Sequence, residues 1–119
     1  MFMIMFVSKN LEQASGVLDV WVKAGIQGAT ILDSSGLQPS EKQGIKEDIG
    51  ILFSIQAITR SREVHHRTLL TAIKDEEMLN RVVEATTQHI GDWSRPDVGV
   101  MFVWPLTHAY GLDKIFNKS

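Results

Sequence analysis

Thr68-Leu69-Leu70-Thr71-Ala72-Ile73, followed by Lys74-Asp75-Glu76-Glu77, decides the fold of this 119-residue chain. The first six residues, β-branched and aliphatic, read as a strand. The three acidic residues behind them sit where the dipole of a starting helix favours negative charge. Leu79, Val82, Val83, Thr86 and Ile90 then recur as one apolar stripe at helical spacing. Gly91 ends that helix, and Val100-Met101-Phe102-Val103-Trp104 reads as another strand, stopped by Pro105. This half of the chain is strand, helix, strand.

The N-terminal half repeats the plan. Phe2 to Val7 is apolar at odd and even positions alike, as in a strand covered on both faces. Asn10 is a good N-cap, and Gln13 stands three residues on, as in a capping box. Leu11, Ala14, Leu18 and Trp21 follow at helical spacing up to Ala24, and Gly25 supplies a left-handed cap. Ala29-Thr30-Ile31-Leu32 reads as a strand, and Asp33-Ser34-Ser35-Gly36 as the turn that ends it. The stretch from Leu37 to Arg67 connects the halves. It opens as a polar loop at Gln38-Pro39-Ser40, and Asp48 can cap a short helix carrying Ile51, Leu52, Ile55 and Ile58.

Two β-α-β units in series predict an α+β fold of the ferredoxin-like type, one domain over residues 1–119. Its four strands form one antiparallel sheet with both helices on one face, and an extra short helix lies in the central connection. The helices leave the other sheet face bare, although the strands are apolar toward both sides. A bare apolar face of that size marks an interface, so association of several copies is expected.

Composition narrows the function. The formal net charge is −2, without the basic footprint of a nucleic-acid binder or the polybasic patch of a membrane-surface protein. There is no cysteine, which excludes thiolate chemistry and disulfides and fits a reducing cytoplasm. The apolar N-terminus lacks a basic region and a cleavage site, and it is too short to span a bilayer.

Two stretches resemble the P-II family of signalling proteins. Val22-Lys23-Ala24-Gly25-Ile26-Gln27-Gly28-Ala29-Thr30-Ile31 is similar to the family's first helix end and second strand. Ile90-Gly91-Asp92 with Gly99-Val100-Met101-Phe102-Val103-Trp104-Pro105 is similar to its phosphate loop and last strand. The resemblance implies a cytoplasmic homo-oligomer, a trimer, that senses a small ligand such as an adenine nucleotide and regulates a partner protein. Carried over by position, Thr30 and Gly36 match one part of the ligand cleft, and Gly91, Asp92 and Gly99 match its phosphate loop. The family's lysine after the second loop glycine is Val100 here, and Trp93-Ser94-Arg95-Pro96-Asp97-Val98 lengthens the loop. The arginine-bearing segment after the last strand is replaced by Leu106 to Leu112. Arg95 and His108 then stand as the substitute cations, and the chain reads as a divergent branch.

His65-His66 are candidate metal ligands, with His108 as a third donor, although neighbours on a strand point to opposite faces. A metal- or small-anion-binding oligomer is therefore one alternative. A structural interaction module with a decayed cleft is another. Trp21 reads as packing and His89 as a partly buried group near its helix C-terminus. Trp93, in a loop beside Gly91, reads as an interface anchor or ligand-stacking group as readily as packing. Asp75-Glu76-Glu77 is explained by capping. No Walker loop, nucleophile elbow or zinc-protease motif is present, so the chain is not expected to be an enzyme.

Overall fold

The computed structural model describes residues 1–37 and 63–116. The expected loop and short helix of the central connection lie outside them. Strand β1 (Phe2–Ser8) leads into helix α1 (Leu11–Lys23) and strand β2 (Thr30–Leu37). Strand β3 (Glu63–Ile73), helix α2 (Glu76–Ile90) and strand β4 (Val100–Pro105) repeat the order, and a single turn of helix, α3 (Asp113–Phe116), follows. The sheet is antiparallel with strand order β2-β3-β1-β4. Each half therefore places one strand of the other half between its own two. The fold is the ferredoxin-like α+β fold expected from the pattern. Among the described residues no helix is long and apolar enough to cross a membrane.

Capping fixes both helix starts. Asn10 Oδ1 accepts from the Gln13 amide (3.1 Å), and Asp75 Oδ1 from the Met78 amide (2.9 Å). The capping box at Asn10 stays open. Instead of turning back to the cap, Gln13 Oε1 accepts from Ser8 Oγ (2.8 Å) and from the Gly99 amide (2.9 Å). One side chain thereby ties the first helix to the start of the last strand. Gly25 and Gly91 end the helices at φ +111° and +86°, where a side chain would be strained.

One sheet face packs on the helices. Ile4, Phe6, Leu69 and Ile73 meet Val17, Trp21 and Val82, all of them buried. Burial of each such side chain contributes about 1.5–3 kcal/mol. Inside this core the Trp21 indole donates to Thr86 Oγ1 (2.9 Å), and that hydroxyl donates to the Val82 carbonyl (2.7 Å). The polar ends of a large aromatic and a buried threonine thus satisfy one another. His89 is exposed rather than partly buried. Its ring rests on Gly16, where an added Cβ would stand 2.8 Å from Nε2.

The opposite face carries apolar rows that cross the sheet, read from the register and the alternation of side chains. Ala72, Met3 and Trp104 make one row. Thr30, Leu70, Met5 and Phe102 make the next, and Leu32, Thr68, Val7 and Val100 the third. Val100 and Phe102 are about half exposed, at 51% and 48%, and Trp104 is 38% exposed. In the single chain neither α1 nor α2 covers these rows.

Two boundaries differ from the sequence reading. Asp33-Ser34-Ser35-Gly36 is no turn: it continues β2, paired with Arg67, His66, His65 and Val64. Asp33 and Arg67 form an ion pair across the strands (3.2 Å), and the Ser34 hydroxyl meets Thr68 Oγ1 (3.0 Å). The polar side chains that suggested a turn are satisfied by the neighbouring strand. Correspondingly β3 begins at Glu63 rather than Thr68, so His65 and His66 lie within the sheet.

Candidate functional site

The loop from Gly91 to Gly99 is built by its own polar groups. Asp92 Oδ1 accepts from the Ser94 hydroxyl (2.6 Å) and the Ser94 amide (2.9 Å). Arg95 N donates to Asp92 O (3.5 Å), Val98 N donates to Arg95 O (3.1 Å), and Arg95 Nε stands 3.7 Å from Asp97 Oδ1. The Ser94 hydroxyl and then its amide hold the Asp92 carboxyl below its ordinary 3.8, with a smaller contribution from the Arg95 charge. A carboxyl lowered in the folded state adds stability above its unfolded value, and that stability is lost as pH falls through the folded value. A carboxyl-carbon NMR titration should therefore find Asp92 below 3.8, and Ser94→Ala should move it back up.

Gly99 is glycine for a steric reason. A Cβ there would fall on the Val7 carbonyl oxygen and 2.9 Å from Phe6 Cζ, while its amide is taken by Gln13. Gly99→Ala must displace backbone, so a loss of about 1–3 kcal/mol is expected in urea unfolding. Gly28→Ala is the control. Nothing lies within 4 Å of a Cβ at Gly28, and the change should stay within about 0.5 kcal/mol of wild type.

Trp93 is partly buried and packs against the core. Its ring meets Phe6 edge to face (centroids 6.2 Å apart), and its indole N–H donates to Thr87 Oγ1 (3.2 Å). Phe6 points to the helix side of the sheet, so Trp93 is not held out as an anchor or a stacking group. The aromatic closes the end of the core beneath the loop.

The remaining candidates separate along two axes. Thr30 and Gly36 stand on edge strand β2, while Gly91, Asp92, Arg95 and Gly99 stand before edge strand β4. Two strands lie between, a span of roughly 14 Å at normal strand spacing. His108 is exposed beyond the far end of β4, the full length of that strand from Gly99. His65 and His66 alternate across β3 at the Gly99 end. The three histidines therefore do not converge within one chain. Among the described residues no group of three or more histidine and carboxylate side chains is arranged to hold a metal ion.

One cleft does bring sequence candidates together. It lies at the Gly99 end of the bare sheet face, holds about 250 Å³, and is lined by Lys9, His66, Asp97 and Gly99, with Pro96 and Val100. His66 is a sequence candidate as a metal or small-anion donor, while nothing in the sequence pattern marks Lys9. The topology explains both. Ser8, the last residue of β1, pairs with Arg67, the neighbour of His66, and Lys9 follows it directly. A lysine directly after β1 falls at the end of the sheet where the antiparallel β4 begins. A second, larger hollow of about 380 Å³ lies under α3. It is lined mainly by apolar groups, Met3, Leu70 and Phe116 among them, with Thr30 at its edge.

No family profile matches the chain, and no curated protein matches its sequence. Among solved structures it is similar to CutA1 from Pyrococcus horikoshii. The two superpose with a TM-score of 0.60 over 98% of this chain and 95% of that one, at 13% sequence identity. At that identity the likeness speaks for the fold alone.

Proposed function

We propose that this chain is a non-enzymatic, homo-oligomeric regulator of P-II-like type. It works in the cytoplasm, binds a small ligand at the boundary between copies, and passes that state to a partner protein. One observation carries the reading. The positions that resemble the family's ligand cleft stand on opposite edges of the sheet, Thr30 and Gly36 on β2 and Gly91 to Gly99 before β4. They form one site only when the β2 edge of one copy approaches the β4 edge of the next. The apolar rows on the bare face supply the reason for copies to associate. Cyclic closure by three copies fits this head-to-tail relation.

The alternative is an interaction module whose cleft has decayed. It is favoured by the loop chemistry, because Asp92 and Gln13 already take the Ser94 and Gly99 amides that a phosphate would need. A metal-binding oligomer has less support, given the divergence of His65, His66 and His108. Light scattering together with thermal melting separates the readings. A regulator gives an oligomer at micromolar concentration. Its melting temperature rises, by mass action, with one ligand of a panel of adenine nucleotides, cyclic nucleotides, bicarbonate and divalent metals. An oligomer that no ligand shifts is the decayed module. A monomer overturns both.

A further inference from the structure

We propose that the cleft at the Gly99 end of the sheet is an oxyanion site in which the Lys9 ammonium and the His66 ring are the binding donors. This rests on the P-II-like reading only for the kind of ligand that would carry the anion. The site itself follows from three observations. Among the described residues, neither the Lys9 ammonium nor the His66 ring makes a hydrogen bond or an ion pair, yet both line the same cleft. The other charged wall, Asp97, has Arg95 at 3.7 Å. Lys9 and Arg95 against Asp97 leave a surplus positive charge there. Finally, Gly99 lines the cleft with backbone alone, and the Cβ it lacks would face the Val7 carbonyl and Phe6 instead.

The size sets the class of ligand. About 250 Å³ is smaller than the roughly 300–1,000 Å³ of pockets that enclose a whole drug-sized molecule. The cleft suits a single phosphate-like group, either a free inorganic anion or the phosphoryl end of a larger ligand whose remainder lies outside. A compact ammonium and an imidazole N–H are donors suited to such oxygens. Neither residue belongs to the loop glycines, so this assignment replaces the missing cation at Val100 from a different part of the chain.

The test is an NMR titration of the full chain, reading the amides of Asp97 and Val100, at constant ionic strength so that screening does not change. Inorganic phosphate, sulfate, AMP and adenosine are the probes. Phosphate or sulfate should give saturable shifts in the millimolar range, while adenosine gives none. Lys9→Ala and His66→Ala should each weaken binding about tenfold, the usual worth of a hydrogen bond to a charged group. Lys9→Arg should keep most of the affinity. AMP binding tighter than phosphate, with the same sensitivity to both variants, would make the anion a phosphoryl group of a nucleotide. Equal affinities would make it a free anion. Either result upholds the site. The proposal is overturned if neither anion gives saturable shifts, or if the double alanine variant binds as the wild type does. Light scattering on the same samples keeps the two ideas apart. An oligomer without anion binding sinks only this site, and a monomer that binds phosphate sinks only the regulator.

Discussion

Phe102→Asp should convert an associated protein into a folded monomer. Phe102 sits in the middle row of the bare face, across from Met5 and between Val100 and Trp104 on its own strand. In the single chain it is 48% exposed, so an aspartate there meets water. Stability of the lone chain should move by no more than about 0.5 kcal/mol, as for most surface changes. In an assembly that covers this face, the same carboxylate is buried without a partner. Leaving one charge unpaired in a buried site costs about 3–5 kcal/mol, and each 1.4 kcal/mol is tenfold in affinity. The dissociation constant should therefore rise by at least a hundredfold. Light scattering at micromolar concentration reads the mass, and circular dichroism checks that the fold is kept. A variant that stays associated would show that another surface holds the copies together.

Trp21→Ala should cost about 3–5 kcal/mol, the range for removing a buried large aromatic. The tryptophan is fully buried between the two helices and the sheet, and it is the largest side chain in the core. Total stabilities of about 5–15 kcal/mol are usual, so this one change takes much of the margin. Thr86→Val isolates the polar part. It keeps the volume but leaves the Trp21 indole N–H without its acceptor at 2.9 Å, at a cost of about 1–3 kcal/mol. Urea unfolding of the two variants separates packing from hydrogen bonding. If Trp21→Ala cost less than Thr86→Val, the indole would be a polar strut and not the centre of the core.

Most of the architecture is written locally. Asn10 and Asp75 mark the helix starts, Gly25 and Gly91 the ends, and the apolar stripes between them have one period. These are contacts within a few residues, and a sequence shows them directly. The end of β2 is written across strands. Asp33, Ser34 and Ser35 have turn chemistry in isolation, and only the facing Arg67, His66 and Thr68 make them strand residues. Such pairing joins positions more than thirty residues apart, and no local pattern carries it. The site shows the same division. Gly99 is recognisable as a special glycine, but the reason, a carbonyl of β1 at its back, appears only with the sheet assembled. Lys9 looks like an ordinary polar residue after a strand until the assembled sheet brings it into one cleft with His66. Trp93 is the opposite case: its loop position leaves packing and ligand contact equally open, and Phe6 decides for packing.

The unequal lengths of the central strands have a kinetic consequence. β1 stops at Ser8, opposite Arg67, so residues 63–66 of β3 pair with β2 alone. Two strands without a third are marginal by themselves. Amide hydrogens of Val64 and His65 should exchange through local fraying, orders of magnitude faster than those of Arg67 to Leu70, which are clamped from both sides. His66 lies at the root of that ribbon, at the boundary between the fast and the slow amides. An anion held there would slow the exchange of the amides above it, reporting occupancy at a distance from the cleft itself.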